Sequence, residues 1–327
     1  MNDVDQVIEA AADDVFDRLM EDAGKTVSEW RSSGKEFEQR LLELWGDAIG
    51  RLELLYFKSI EAGEYFAALL GESEEHDLRH SYLLVQTHAR TCQVTSEIIA
   101  LLKSGHANGA MARWRALFES SITLGLLSEG GPRIGKRFLD RYDVLDEKLI
   151  DYYDQHKLRA QLSDLDPEVV RAIKESAHAL KRNAGSAVTT ERGWARPFLK
   201  AKGIKAKGSP SLADLAESVG IDHRWPYYIY SNHLVHINPK TFKLVGDYVR
   251  DRSLPAGASN AGLDLPGQLA AVSLHQATCF LLDSAPADET ILVMMTVLGR
   301  ITEATKRTFV QSEAEYQRLA SEKKPLK

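Results

Sequence analysis

The stretch LFESSITLGLL, residues 117–127, decides the fold of this chain. Apolar side chains fall on nearly every side of a helix with this sequence, which is typical of a central, buried helix. We expect the helix to cover residues 107–129 and to end at the Gly-Gly-Pro sequence of residues 130–132, because glycine and proline interrupt helices. Glu119 lies just inside the apolar stretch, so its charge needs a partner.

Helical spacing of apolar residues continues on both sides of this segment. It predicts a helix over residues 3–23, stopped by Gly24, and further helices over 35–62 and 74–103. Towards the C-terminus it predicts helices over 133–160, 167–182, 226–236, 267–283 and 287–319. No stretch shows the period-two alternation of a strand. The sequence therefore predicts an all-α fold, a multi-helix bundle of roughly eight to ten helices with no sheet.

The chain divides into three parts along this pattern. Residues 1–70 are expected to form N-terminal helices that pack on the core. Residues 71–250 form the helical core, and within it the glycines and lysines of residues 183–210 predict a mobile basic loop. Residues 251–327 supply a C-terminal pair of helices that completes the bundle.

Composition excludes several classes of protein. A net charge of −6 excludes a basic nucleic-acid coat, and 44% hydrophobic residues exclude a disordered chain. The two cysteines lack a CxxC motif, so neither a disulfide scaffold nor a thiolate zinc site is expected. The N-terminus is acidic, unlike a signal peptide, and no apolar stretch is long enough to span a membrane. These features predict a cytoplasmic protein without contact with a membrane.

The first candidate site is the motif Arg113-Trp-Arg115-x-x-x-Glu119. Arg115 and Glu119 are four residues apart and can meet on one face of a helix. Arg113 lies towards the apolar side, so its guanidinium also needs a partner. Either arginine could hold a phosphate group. The alternative is a structural ion pair that sets the register of the helix.

The second candidate site is SNHLVHINP, residues 231–239. His236 falls at a helix C-terminus, where the helix dipole favours the imidazolium form and would suit a general acid or a phosphate contact. Ser231, Asn232 and His233 precede it as candidate binding residues. His233 and His236 could also bind a metal together with Glu119, but no zinc signature spacing is present, and we expect no metal or cofactor. The alternative is a pair of capping or packing histidines.

His88 and Arg90 form a third and weaker candidate. His88 shares a helix face with Cys92, Thr95 and Ile99, so it points inward. It is either a ligand-binding residue or a core histidine. Arg90 points in a different direction, and the two gain weight as binding residues only if this helix packs against the helices of the other candidates.

Three segments in this order resemble the bacterial family of domain of unknown function 5677. They are GHANGAMARWRALFESSITLGLL at 105–127, KRFLDRYDVLDEKLIDYYD at 136–154 and YYIYSNHLVHINPKTF at 227–242. The resemblance covers roughly residues 80–250. It implies a helical fold and no particular activity. The positions that carry it are Arg115, Leu117, Glu119, Arg137, Phe138, Tyr228, Ser231, Val235, His236 and Pro239.

The region around His236 is also similar, more weakly, to the HEPN-type helical ribonucleases. Their catalytic motif has an arginine, a polar residue, a few further residues and then a histidine; here His236 is the histidine, Asn232 is the polar residue and Ser231 stands in place of the arginine. The resemblance implies a metal-independent ribonuclease, a toxin or defence effector, in which His236 is the general acid or base and Arg113 or Arg115 holds the phosphate. The alternative is a non-catalytic helical module that binds a small ligand or a protein partner. The candidate partners are RNA, a small ligand and a second copy of the chain in a homodimer.

Overall fold

A computed structural model describes residues 3–71, 78–236, 239–240, 257–286 and 288–322. The first element, α1, is one continuous helix of 69 residues, Asp3–Gly71. The expectation that Gly24 stops this helix is wrong, because a single glycine costs a helix only about 1 kcal/mol and good helix formers surround it. The body of the protein covers the second half of α1, whereas the side chains of residues 4–36 are exposed or, at Ala23, half-buried.

The predicted central segment lies in α3, Ala107–Leu139, which follows α2, Leu78–Lys103, after a short turn. These two helices pack against each other and against α10, Asp264–Leu282. α1 and α11, Glu289–Glu322, complete the set of long helices around the core. Leu117, Phe118, Ile122, Leu124, Leu126 and Leu127 are fully buried. The central position predicted for LFESSITLGLL is confirmed.

The turn between α2 and α3 requires glycine. Gly105 has a φ of +73°, and a Cβ atom there would approach the Phe37 ring to 2.8 Å and the Ser259 carbonyl oxygen to 2.9 Å. Gly131 marks the predicted break in α3, with φ 65° and ψ −167° between two helical segments. This conformation is essentially restricted to glycine, so the Gly-Gly-Pro sequence kinks α3 where the sequence indicates a break.

A helical hairpin follows the kink. Its two helices are α4, Tyr142–His156, and α5, Pro167–Ala184. The Asp166 side chain accepts a hydrogen bond from the backbone N–H of Glu168 and caps α5, whose first residue is proline as the sequence predicts. Val144 of α4 and Ala177 of α5 form a small separate apolar cluster with Val188, which follows the hairpin.

Residues 186–201 are mostly helical, so the expected loop is wrong for this part of residues 183–210. The segment contains α6, Ser186–Thr189, a 3₁₀ turn at Gly193–Ala195 and α7, Arg196–Ala201. The burial of its apolar side chains favours a packed structure more than its glycines and lysines favour a loop. Trp194 packs edge-on against Phe138 with ring centroids 5.0 Å apart, and Val188, Phe198 and Leu199 are buried.

The last elements bring a short helix against α3. α8, Leu212–Ser218, starts with a capping box in which Ser211 and Asp214 exchange hydrogen bonds. A 3₁₀ turn at Asp222–Arg224 leads into α9, Trp225–Val235, which packs against α3. Within the described residues there is no strand, which confirms the all-α, multi-helix bundle. None of the helices described is long and apolar enough to cross a membrane.

Candidate functional site

The contact between α3 and α9 is built around the side chain of Tyr228. Its hydroxyl donates a hydrogen bond of 2.6 Å to Glu119 Oε1 and accepts one of 3.1 Å from Arg115 Nη2. The Arg115 guanidinium also lies 4.9 Å from the centre of the Tyr228 ring, a cation–π contact. Arg115 Nη2 and Glu119 Oε1 are 3.9 Å apart, an ion pair that the spacing of four residues predicts. The structure therefore joins this predicted ion pair through a residue from a distant segment.

Aromatic rings hold Tyr228 in place. Trp225 stacks on it at 4.8 Å, and Phe118 lies 5.9 Å away on the other helix. Burial raises the pKa of Tyr228, with Arg115 opposing and Glu119 reinforcing the effect. The phenol therefore remains protonated and donates to the carboxylate of Glu119 at neutral pH.

The guanidinium of Arg115 is only partly satisfied. Its Nε is buried and has no hydrogen-bond partner among the described residues. Buried polar groups in proteins are usually paired, and an ion pair that served structure alone would be expected to use this donor. Arg224 Nη1, elsewhere in the protein, is buried in the same way.

Beside this cluster lies an open groove between α2 and α3, with a volume of about 460 Å³. We call it the polar groove. Glu119 and Arg90 face it from opposite helices, and Phe138 forms part of its wall. Its remaining lining residues are Gln86, Thr87, Ala116, Ser120 and Thr123. Polar side chains thus dominate both helices along the groove.

Arg90 and Arg113 are both engaged with Glu97. The Arg113 Nε donates a hydrogen bond to Glu97, and Arg90 Nη1 lies 4.0 Å from the other carboxylate oxygen. Arg90 also donates to Gln93 Oε1 across 2.7 Å. Sequence patterns on α3 alone did not indicate this partner of Arg113, because Glu97 belongs to α2 and comes close only through helix packing.

His88 lies in the core. Its Nε2 is 3.1 Å from the Thr278 hydroxyl, and burial lowers its pKa to about 4. A Cβ atom at Gly63 on α1 would come within 2.9 Å of its Nδ1, so only glycine fits against this ring. His88 also borders a surface cleft of about 410 Å³ between α1 and α2. His88 is neutral at physiological pH, and its contacts are those expected of a core histidine, not of a ligand-binding residue.

The residues of SNHLVHINP occupy the C-terminal part of α9. Ser231 is buried, and its hydroxyl donates to the Tyr228 carbonyl oxygen at 2.7 Å. Asn232 and His233 are half-buried. His236 is exposed and follows the last residue of α9, and its backbone N–H donates to the Asn232 carbonyl oxygen. Residues 237 and 238 lie outside the described part of the chain.

His236 lies at the far end of α9 from Tyr228. Eight residues separate the two, which corresponds to about 12 Å along a helix. Near this end, Tyr230 and Leu234 line a second cleft, of about 790 Å³, together with residues 105–109 at the start of α3. Arg115 and Glu119 are thus brought together with Tyr228, while His236 lies outside this cluster.

Two residues of this region were outside the sequence-based set of candidate site residues: Tyr228 in the cluster and Phe138 in the polar groove. Tyr228 and Phe138 carried the family resemblance, but no local pattern indicated that they would meet Glu119. The clue available in the sequence was that they belong to the same three segments as Arg115 and Glu119. Among the described residues, no group of three or more His, Cys, Asp or Glu side chains is placed to hold a metal ion.

Comparisons with known proteins identify a family but no activity. No curated protein matches the chain, and no solved structure does. Residues 81–252 match the group described as Family of unknown function (DUF5677). The match spans more than half of the chain, from α2 through α9, and includes the cluster around Tyr228 and the polar groove. The chain therefore belongs to the Family of unknown function (DUF5677).

Proposed function

We propose that the protein is a non-catalytic helical binding module whose ligand lies in the polar groove. One observation supports this above all: residues that carried the family resemblance converge at the groove from three separate segments. Glu119 and Phe138 line the groove. Tyr228 and Arg115 contact the Glu119 carboxylate through a hydrogen bond and an ion pair. A family that needed only a stable bundle could fill these positions with apolar side chains, since buried ion pairs add little net stability.

The hydroxyl groups of the groove indicate what kind of ligand it accepts. Those of Thr87, Ser120 and Thr123 each donate to a carbonyl oxygen four residues earlier on their own helix. With their protons used in this way, the hydroxyl oxygens present only lone pairs to the groove. Glu119 adds a carboxylate with one oxygen accepting from Tyr228. The groove therefore favours a ligand that donates hydrogen bonds.

One acidic side chain, Glu119, lines the groove and indicates the same ligand class. Arg90 also lines the groove; it donates to Gln93 and lies 4.0 Å from Glu97, a carboxylate that it shares with Arg113. Glu119 and Tyr228 both interact with Arg115. The Glu119 carboxylate is nevertheless partly exposed, so it can still attract a cation. We therefore assign the groove to a primary amine or a guanidinium group, carried either by a small molecule or by a basic side chain of a partner protein.

Titration with small cations tests this function. Butylamine and arginine amide are added to the full chain, with butyrate as the anionic comparison, and binding is followed by saturation-transfer NMR. We expect both cations to bind and butyrate not to bind. Glu119→Gln should weaken binding by about tenfold or more, because it removes the charge but keeps an acceptor for Tyr228.

The matched control is Glu175→Gln, at an exposed position on α5. It should leave binding unchanged, and circular dichroism should show both variants folded. If neither cation binds, or if Glu119→Gln binds them as the unchanged protein does, the assignment is contradicted.

A metal-independent, HEPN-like ribonuclease is the second candidate. It is favoured by the exposed position of His236 at the end of α9, the helix whose Tyr230 and Leu234 line the 790 Å³ cleft. The start of α3 lines that cleft, and the free N–H groups of a helix N-terminus suit a phosphate. This candidate is the weaker one, because Arg113 and Arg115 already form ion pairs with Glu97 and Glu119.

A further inference from the structure

The first half of α1, residues 3–36, projects from the body of the protein with a row of exposed apolar side chains. We call this part the projecting segment. Trp30 is 82% exposed and Leu19 is 65% exposed. Apolar surface of this extent on a soluble protein usually marks an interaction site. The other large apolar residues exposed along it are Val4, Val7, Ile8, Val15, Phe16, Met20 and Val27.

The spacing of these residues keeps most of them on one side of the helix, with Val7 and Met20 at its two edges. Ile8, Leu19 and Trp30 follow one another at intervals of 11 residues, as do Val4 and Val15. An 11-residue repeat corresponds to about 3.67 residues per turn, close to the natural period of an α-helix. The stripe therefore runs nearly straight along the projecting segment, a geometry suited to packing against a second long helix.

We propose that the projecting segment pairs with the same segment of a second copy of the chain, in antiparallel orientation. The apolar area is large enough for a stable contact. At roughly 100 Å² for each exposed apolar side chain, and without Val7 and Met20 at the edges, two copies together could bury about 1,400 Å², within the range of stable protein interfaces.

The distribution of charge supports self-association and sets its direction. Residues 3–17 contain six acidic residues and no basic one, whereas residues 18–35 contain four basic and three acidic residues. A parallel pair would place the two acidic halves side by side. An antiparallel pair places each acidic half beside the half that contains the basic residues, which removes most of the repulsion. The same acidic residues disfavour an anionic membrane surface as the partner of the stripe.

Length fits the same arrangement. An antiparallel pair centred on Leu19 places residue 3 of one copy beside residue 35 of the other, just before Phe37 of α1 packs against the body. The same register brings Ile8 beside Trp30, and it places Arg31 of one copy level with residue 7 of the other, on the same flank of the stripe as Glu9. Apolar residues thus meet apolar residues, and a carboxylate lies near a guanidinium group.

Disulfide trapping tests the orientation in the full-length chain. Ile8→Cys and Trp30→Cys variants are prepared separately and oxidised alone or after mixing. The native Cys92 and Cys279 can stay, because burial raises the pKa of each thiol to about 12 and keeps it unreactive. We expect a covalent dimer only in the mixture. A covalent dimer formed by Trp30→Cys alone would show a parallel pair and overturn the proposal.

Sedimentation equilibrium tests the contact itself. Leu19→Glu should raise the dissociation constant of the dimer by about tenfold or more. Leu292→Glu on α11 is the matched control, because Leu292 is 62% exposed, nearly as exposed as Leu19, and lies outside the stripe. Circular dichroism checks that both variants keep their helices. A monomeric unchanged protein, or a dimer that Leu19→Glu leaves intact, would overturn the proposal.

A charge exchange separates specific pairing from nonspecific association. Glu9→Arg should weaken the dimer, and adding Arg31→Glu in the same chain should restore it, because the exchanged charges again face each other. Failure of the second change to restore the dimer would count against the antiparallel register. These measurements are independent of ligand binding in the polar groove.

Discussion

The hydroxyl of Tyr228 lies 2.6 Å from Glu119 Oε1, although 109 positions separate the two residues in the chain. This hydrogen bond joins α9 to α3, whose apolar stretch lies in the core. It also holds one oxygen of the Glu119 carboxylate at the edge of the polar groove. The same contact therefore connects the stability of the α3–α9 packing to the proposed binding surface.

Tyr228→Phe should lower both stability and ligand binding. The ring and its stacking partner Trp225 remain, while the bond to Glu119 and the acceptor of Arg115 Nη2 are lost. A hydrogen bond to a charged group of this kind contributes about 1–2 kcal/mol when solvent can partly replace it. Urea denaturation should show the free energy of unfolding reduced by that amount. The neighbouring, exposed Tyr227 provides the control, since Tyr227→Phe should change neither property.

His88 predicts a dependence of stability on pH. Its pKa is lowered by burial to about 4, from an ordinary value of 6.5, so between these values the unfolded chain binds a proton that the folded protein does not. The stability contributed by neutral His88 is present above pH 6.5 and is lost as the pH falls to 4. The loss amounts to about 3 kcal/mol.

Comparison of variants isolates this contribution from that of other titrating groups. His88→Gln can keep a hydrogen bond to Thr278 but does not titrate, so its free energy of unfolding should fall less steeply between pH 6.5 and 4. His223 is exposed, and His223→Gln should keep the steep dependence. Parallel curves for the unchanged protein and His88→Gln would show that His88 does not titrate in this window.

Two glycine substitutions should change stability in opposite directions. Gly131 adopts a conformation at the kink of α3 that L-residues avoid, so Gly131→Ala should destabilise the protein by about 1–3 kcal/mol. Gly50 lies inside α1 on an exposed face with no atom within 4 Å of the added Cβ. Gly50→Ala should therefore stabilise the protein by about 0.5–1 kcal/mol. Thermal and urea unfolding measure both, and a stabilising Gly131→Ala would show that the kink is not required.

The ribonuclease candidate makes a separate prediction about His236. If the protein cleaves RNA through this imidazole, cleavage should persist with chelators and should fall by about 10²–10⁴-fold in His236→Ala. His223→Ala, at another exposed histidine, should leave the rate unchanged. A folded His236→Ala variant with full activity, or an unchanged protein that cleaves no RNA, would exclude this candidate.

Local sequence patterns predicted the elements of this fold that depend on local causes. The apolar stretch around Ile122 had to be buried, because it leaves no face for water, and the kink at Gly131 follows from the conformational freedom of glycine. The ion pair of Arg115 and Glu119 follows from the helical repeat. In each case the decisive residues are neighbours within about one or two turns of a helix.

Other features depend on the balance of forces over longer distances. Gly24 has the residue type of a helix end, but the helix continues because its neighbours on both sides favour it. Residues 186–201 contain several residues typical of loops, yet Trp194 finds the ring of Phe138 and the segment folds against α3. Composition alone could not predict this, because the contribution of a tryptophan depends on the surface it meets.

The sequence by itself determined the helical class, the central helix and the family to which the chain belongs. Only the tertiary structure decided which polar groups meet: Tyr228 with Glu119, Arg113 with Glu97, and His88 with Thr278. The physical reason is that helical periodicity records which residues face the core, residue by residue. The partner of a charged or polar group is instead chosen by how helices from distant parts of the chain pack against one another.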